Sequence, residues 1–171
     1  MACPQWRRAA RWGDQDGRAV MADYDSTAET LRHIHRVRDH LNTVIGVLME
    51  RGRVHDASKF SAVEKPVLDS IYPRLRGLSY GSPAYMELVR EARVGLRHHY
   101  AHNSHHPEHY EDGVAGMDLF DLVEMFCDWK AASERNPGDG VRVGHNARIY
   151  AIAPQLAAVL ENTIARWPEG K

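Results

Sequence analysis

Cysteine is scarce in this chain: 171 residues hold Cys3 and Cys127 and no Cys-x-x-Cys pair. That excludes a disulfide framework and a cysteine-based zinc site. Cys127 lies in an apolar helical pattern and is expected to be a small buried hydrophobe. Long hydrophobic runs are also missing; none approaches the roughly 18 residues that a membrane-spanning helix needs. The first residues carry arginines but no apolar stretch, so no secretory signal is expected. A reducing, cytoplasmic setting follows as the expectation, with no membrane partner. Net charge is lacking as well: the formal value is −1, so no bulk basic field points to nucleic acid. Strand-like alternation, internal repeats and low-complexity tracts are absent, and residues 141–143 alone are too few to build a sheet. The fold class this leaves is all-α, a single domain of about six to eight helices.

What the chain has in excess is histidine, 11 in all. Three fall between residues 33 and 40 and six between 98 and 109. Clustering matters because imidazole is the commonest metal ligand and a frequent acid–base group. The stretch that organises the rest is Val54-His55-Asp56-Ala57-Ser58-Lys59-Phe60. His55 and Asp56 are ligand types for a hard or borderline divalent ion. Lys59 is a point charge suited to phosphate or another oxyanion. In a helix, Asp56 and Lys59 would lie one turn apart on a shared face.

Taken in order, residues 1–22 read as a poorly ordered extension rich in Arg, Gly, Asp and Trp, and Met21 is a plausible initiator. Residues 23–168 form the helical domain. Ser26 with Glu29 makes a capping-box signature, opening a helix over about 27–51 that Gly52 would stop. Leu31, Ile34, Val37, Leu41, Val44, Ile45 and Leu48 give it an apolar face. His33, His35 and His40 point in different directions on that helix. A second helix is expected to begin near residue 54 and carry the His-Asp-Lys stretch, with Glu64 close behind. Pro66 falls in the first turn of the next helix. Gly77 to Pro83, including Tyr80, is a loop. Ser82 and Pro83 then start a helix expected to reach about residue 100. A polar, histidine-rich loop follows. Asp118 caps a helix over about 119–135, and residues 145–166 make one or two last helices broken near Pro154. Asp121, Glu124 and Asp128 share one stripe of the 119–135 helix. By itself that stripe reads as a solvated, ion-paired face.

Together these pieces run His … His-Asp … Asp, which resembles the ligand order of the HD-domain metallohydrolases. His55-Asp56-x-x-Lys59 resembles their phosphodiesterase-type members, as does the run from His105-His106-Pro107-Glu108 to Asp112-Gly113. The phrases Thr-Leu-x-His-Ile, His-Asp-x-Ser-Lys, Tyr-Gly-Ser and His-His-Tyr-x-x-Asn-x-His-His-Pro-Glu-His are similar to those of a small uncharacterised HD-like family of phages and bacteria. So is Met117 to Ala132, ending Asp-Trp-Lys-Ala-Ala. The resemblance covers about residues 23–165 and implies an HD-like helical bundle. It implies His33, His55, Asp56 and Asp128 as ligands of a divalent ion (Mn, Co, Mg, Zn or Fe). His35 competes with His33, and Asp121 with Asp128. His99 and His105 are further ligands if a second ion is held; otherwise they line the substrate pocket.

The function expected is metal-dependent hydrolysis of a nucleotide or related phosphoester. Lys59 would balance charge on the phosphoryl oxygens. Glu64, Glu124 or a loop histidine would orient water or protonate the leaving group. Lys130, Arg135, His105, His106 and Tyr80 would contact the substrate. Two readings compete: an HD-fold di-iron oxygenase, and a nucleotide- or partner-binding module with a structural metal. Self-association is compatible with either.

Overall fold

The computed structural model describes residues 24–78, 81–134 and 140–168. The expected extension at residues 1–22, Tyr80, Arg135 and most of the turn after it lie outside the described residues. Among those described, every regular element is helical and no strand occurs. Seven α-helices follow in order: α1 Thr27–Val54, α2 Glu64–Leu75, α3 Pro83–Glu91, α4 Arg93–His102, α5 Leu119–Ser133, α6 Val143–Ile149 and α7 Pro154–Ala165. Single 3-10 turns lie at Ala57–Phe60, Pro107–His109 and Gly113–Gly116. The all-α bundle is as the sequence leads one to expect. No helix among the described residues is long and apolar enough to cross a membrane.

Backbone contacts divide the chain into two compact units, Met1–Leu41 and Asn42–Lys171, with the boundary inside α1. In the first unit, α1 starts where Asp25 Oδ1 accepts from the Thr27 N–H at 2.9 Å. Glu29, expected to reach back as half of a capping box, accepts instead from the Tyr24 hydroxyl at 2.6 Å.

In the second unit, α1 continues past Gly52 to Val54. The expectation of a stop at Gly52 is corrected: glycine inside a helix costs only about 1 kcal/mol. Arg51, one residue earlier, is tied to α5 by two ion pairs. The expected second helix carrying His55 and Asp56 is corrected too. Both residues sit in the reversal after α1, and Asp56 has φ 56°, the left-handed region. Aspartate tolerates that conformation better than most residues. The 3-10 turn that follows keeps Lys59 beside Asp56, its N–H donating to the Asp56 carbonyl at 2.9 Å.

Two small apolar cores hold this unit. Ile71, Leu88 and Ala92 join α2, α3 and α4, with Val67, Leu75 and Leu96 packed around them. Met125, Phe126, Val143, Ile152 and Leu160 join α5, α6 and α7. The helix expected from 83 to 100 is two helices meeting at Ala92, whose burial in the first core fixes the junction. Ser82 caps α3 as expected, accepting from the Tyr85 N–H at 3.2 Å. Asp118 and Asp121 cap α5 reciprocally, at 2.9 and 3.1 Å. Cys127 is exposed, against expectation. Met125 and Phe126 take the buried face of α5, which leaves Cys127 on the outer side.

Candidate metal centre

Among the described residues, five polar ones are buried with the eight apolar ones of the two cores: Glu64, His99, Asn103, His105 and Asp121. Burying that many polar groups is costly unless each finds partners, and here they converge. The site is built from the reversal after α1, the last turn of α4, the loop behind it and the inner face of α5.

Asp56 stands at its centre. Its Oδ1 lies 3.3 Å from His99 Nε2 and 3.6 Å from His105 Nε2. Oδ1 and His105 Nε2 are both buried without a hydrogen-bond partner. The other oxygen, Oδ2, pairs with Lys59 Nζ and lies 3.4 Å from His55 Nε2. His106 turns its Nε2 to His99 Nε2 at 2.9 Å. On the α5 side, His55 Nε2 is 3.6 Å from Asp128 Oδ1, while its Nδ1 meets Glu124 Oε1 at 2.8 Å. His105 Nδ1 is 3.1 Å from the same Glu124 oxygen.

Three overlapping sets of ligand atoms therefore lie within 4.8 Å of one another: Asp56–His99–His105–His106, His55–His105–Glu124 and His55–Asp56–Asp128. The donor chemistry, imidazole with carboxylate and no thiolate, suits a divalent ion such as Zn, Mn, Co or Fe.

The surrounding polar groups aim these ligands. Glu64 Oε2 accepts from His99 Nδ1 at 2.9 Å, and Oε1 meets His98 Nδ1 at 2.7 Å. A proton held on Nδ1 leaves the His99 Nε2 lone pair facing Asp56, the arrangement that orients metal-binding imidazoles in general. Burial works against the Glu64 charge, yet its bonds to His98, Ser58 and His99 keep the carboxyl below its usual range. Arg51 orients Glu124: its Nε donates to Oε2 at 2.7 Å, leaving Oε1 to the imidazoles. Arg51 Nη2 also donates to Asp121 Oδ1 at 2.6 Å and Ser104 Oγ at 3.1 Å.

Electrostatics separates the histidines. His55, bonded to Asp128 and Asp56 against the pull of burial, is pushed up to about 10. His106 is pushed down to about 3 by burial and by His105 and His99 beside it. Burial opposes the charge of Asp56, but His55 and Lys59 hold its carboxyl far below the ordinary range.

A model of the family of unknown function DUF5662 matches residues 22–166. The chain belongs to DUF5662. The matched span contains every residue of the site, from Arg51 to Asp128. No curated protein and no solved structure matches the chain.

In this DUF5662 chain, His55, Asp56, His99 and Asp128, read as ligands from the sequence, meet in the ligand sets. His105, expected either as a ligand of a second ion or in the substrate pocket, and His106, expected to contact the substrate, stand in the same sets. So does Glu124, assigned to proton transfer, whereas Glu64 lies behind His99. Asp121 enters none of the sets: Arg51, Ser104 and the Tyr110 hydroxyl, at 2.6, 2.5 and 2.6 Å, take up its carboxylate. His33 and His35 are exposed in the first unit and enter none either. Lys130 pairs with Glu134 along α5. Sequence reasoning did not single out Arg51 at all. The one signal for the α5 face was the four-residue spacing of Glu124 and Asp128, which puts both on one side of a helix.

Proposed function

We propose that this DUF5662 protein is a metal-dependent phosphohydrolase acting on a nucleotide or related phosphoester. One observation carries the reading: Asp56 Oδ1 and His105 Nε2 are buried, without hydrogen-bond partners, and 3.6 Å apart. Two buried acceptors facing each other this closely call for a cation. The residues present fit one: Asp56, His99, His105 and His106 would hold it, and His55, Glu124 and Asp128 extend the ligand field beside them.

When bound, a divalent ion supplies a Lewis acid for a phosphoryl oxygen and an acidified water. The rest falls to the protein. Glu64 keeps the His99 proton on Nδ1. Arg51 holds Glu124 toward the imidazoles. Lys59, at the edge of the site against Asp56, brings a positive charge that would balance the negative charge on the phosphoryl oxygens in the transition state. A cleft of about 460 Å³, lined by Trp129, Arg142, Asn146 and Tyr150 among others, reaches His106 and Asp128 and offers room for the polar part of a substrate.

Purified protein loaded with Mn, Co, Mg, Zn or Fe should release phosphate from at least one nucleotide or simple phosphoester, and Asp56→Asn should release none while keeping its helical circular dichroism. Absence of turnover with every metal rejects the hydrolase in favour of a binding module. The overlap of the ligand sets at His55, Asp56 and His105 also favours room for two ions, as a di-iron oxygenase requires. Two irons per chain with an oxygen-dependent optical change would select that reading instead.

A further inference from the structure

A second cleft, of about 240 Å³, is lined by residues of α2, α3 and α4 and reaches His99 and His106 of the cluster. Its inner end is polar: Lys59, Glu64, His99 and His106. Its walls are apolar, formed by Val67, Ile71, Leu75, Val89 and Leu96. Among the described residues, the remaining polar side chains on its lining are three tyrosines, Tyr72, Tyr85 and Tyr100.

From this we infer that the cleft is the subsite for one substituent of the substrate, and that the substituent is an uncharged aryl or short alkyl group. The inference rests on the phosphohydrolase reading for the anionic head and on the cleft alone for the tail. Size supports it: an apolar cavity of about 150 Å³ accepts benzene, so 240 Å³ holds one ring with a few further carbons. Polarity supports it as well. A nucleobase or sugar turned in beyond Glu64 would lose its water among aliphatic side chains and meet only tyrosine hydroxyls there, too few partners for its several polar edges, which is unfavourable for buried polar groups. Charge gives the direction. Lys59 and the imidazoles, with the Glu64 carboxylate already bonded to His98 and His99, stand where the cleft meets the cluster, so an amphiphilic anion enters with its head there and its tail along Ile71 and Val89. Keeping a cleft of this size open between packed helices lowers stability, and occupation by such a tail offsets the loss.

Isothermal titration of the manganese-loaded protein with methyl-, hexyl- and phenylphosphonate tests this without requiring turnover. Hexyl- and phenylphosphonate should bind at least about tenfold tighter than methylphosphonate, a difference that burying a few methylenes readily supplies. Val89→Phe, which narrows the cleft at its apolar wall, should bring the three affinities closer together. Equal affinities in the unmodified protein, or tighter binding of ribose 5-phosphate than of hexylphosphonate, overturn the inference. Phosphate release from small esters with equal affinities keeps the hydrolase and rejects the subsite. Tail discrimination without turnover of any ester keeps the subsite and rejects the hydrolase.

Discussion

Asp56 Oδ1 and His105 Nε2 face each other at 3.6 Å, buried, neither with a hydrogen-bond partner. The separation is too long for an N–H···O bond, and burial pushes His105 toward its neutral form. A metal ion held there would resolve both problems at once. The backbone contributes, because Asp56 reaches this position from a left-handed conformation that costs free energy outside glycine, asparagine and aspartate.

Glu64 stands behind His99, its Oε2 accepting from Nδ1 at 2.9 Å. Glu64→Gln keeps the shape and removes the charge. Metal affinity should fall about 10- to 100-fold, as for other carboxylates that back a metal-binding imidazole. Titration with a fluorescent metal indicator reads the change, and unaltered affinity would remove Glu64 from that role.

Arg51 neutralises two carboxylates that are almost wholly shielded, Asp121 and Glu124. Arg51→Ala removes the cationic partner of both, leaving Asp121 only the neutral donors Ser104, Tyr110 and the Asp118 N–H. Removing one partner of a buried ion pair costs about 3–5 kcal/mol, so the urea midpoint should drop sharply, and metal affinity should fall with it because Glu124 loses its anchor. A variant of unchanged stability would show that the network carries no load.

Asp121 also sets a pH dependence. Burial opposes its charge, but bonds from Ser104, Tyr110, the Asp118 backbone and Arg51 hold its carboxyl at about 2. The folded value lies below the unfolded one, so the contribution is complete above the unfolded pKa and is lost as pH falls through the folded one. It amounts to about 2 kcal/mol, disappearing between about pH 4 and pH 2. Urea melts across that range should be flatter for Asp121→Asn than for the unmodified chain. Parallel curves would contradict the assignment.

Local rules made much of the fold legible. Ser82-Pro83 and Asp118 mark helix starts because capping chemistry acts within three residues, and the break near Pro154 follows from a missing N–H. The split at Ala92 was not legible. No proline or glycine marks it; it depends on which residues of α3 and α4 reach Ile71. Nor was the continuation of α1 through Gly52, which a distant tie from Arg51 to α5 accompanies. At the site, the His55-Asp56 pair advertised itself by residue type. Glu124 did not, because a carboxylate stripe looks the same whether it faces water or imidazoles. Only the packing of the 103–110 loop over α5 decides which.

The most direct test is the metal content of the protein and of Asp56→Asn. Asparagine tolerates the left-handed backbone, so the variant should fold. After saturation with manganese or zinc and exhaustive dialysis, the unmodified chain should retain at least one ion per molecule by inductively coupled plasma mass spectrometry, and Asp56→Asn should retain almost none. No bound metal in the unmodified chain, or equal amounts in both proteins, would contradict the account.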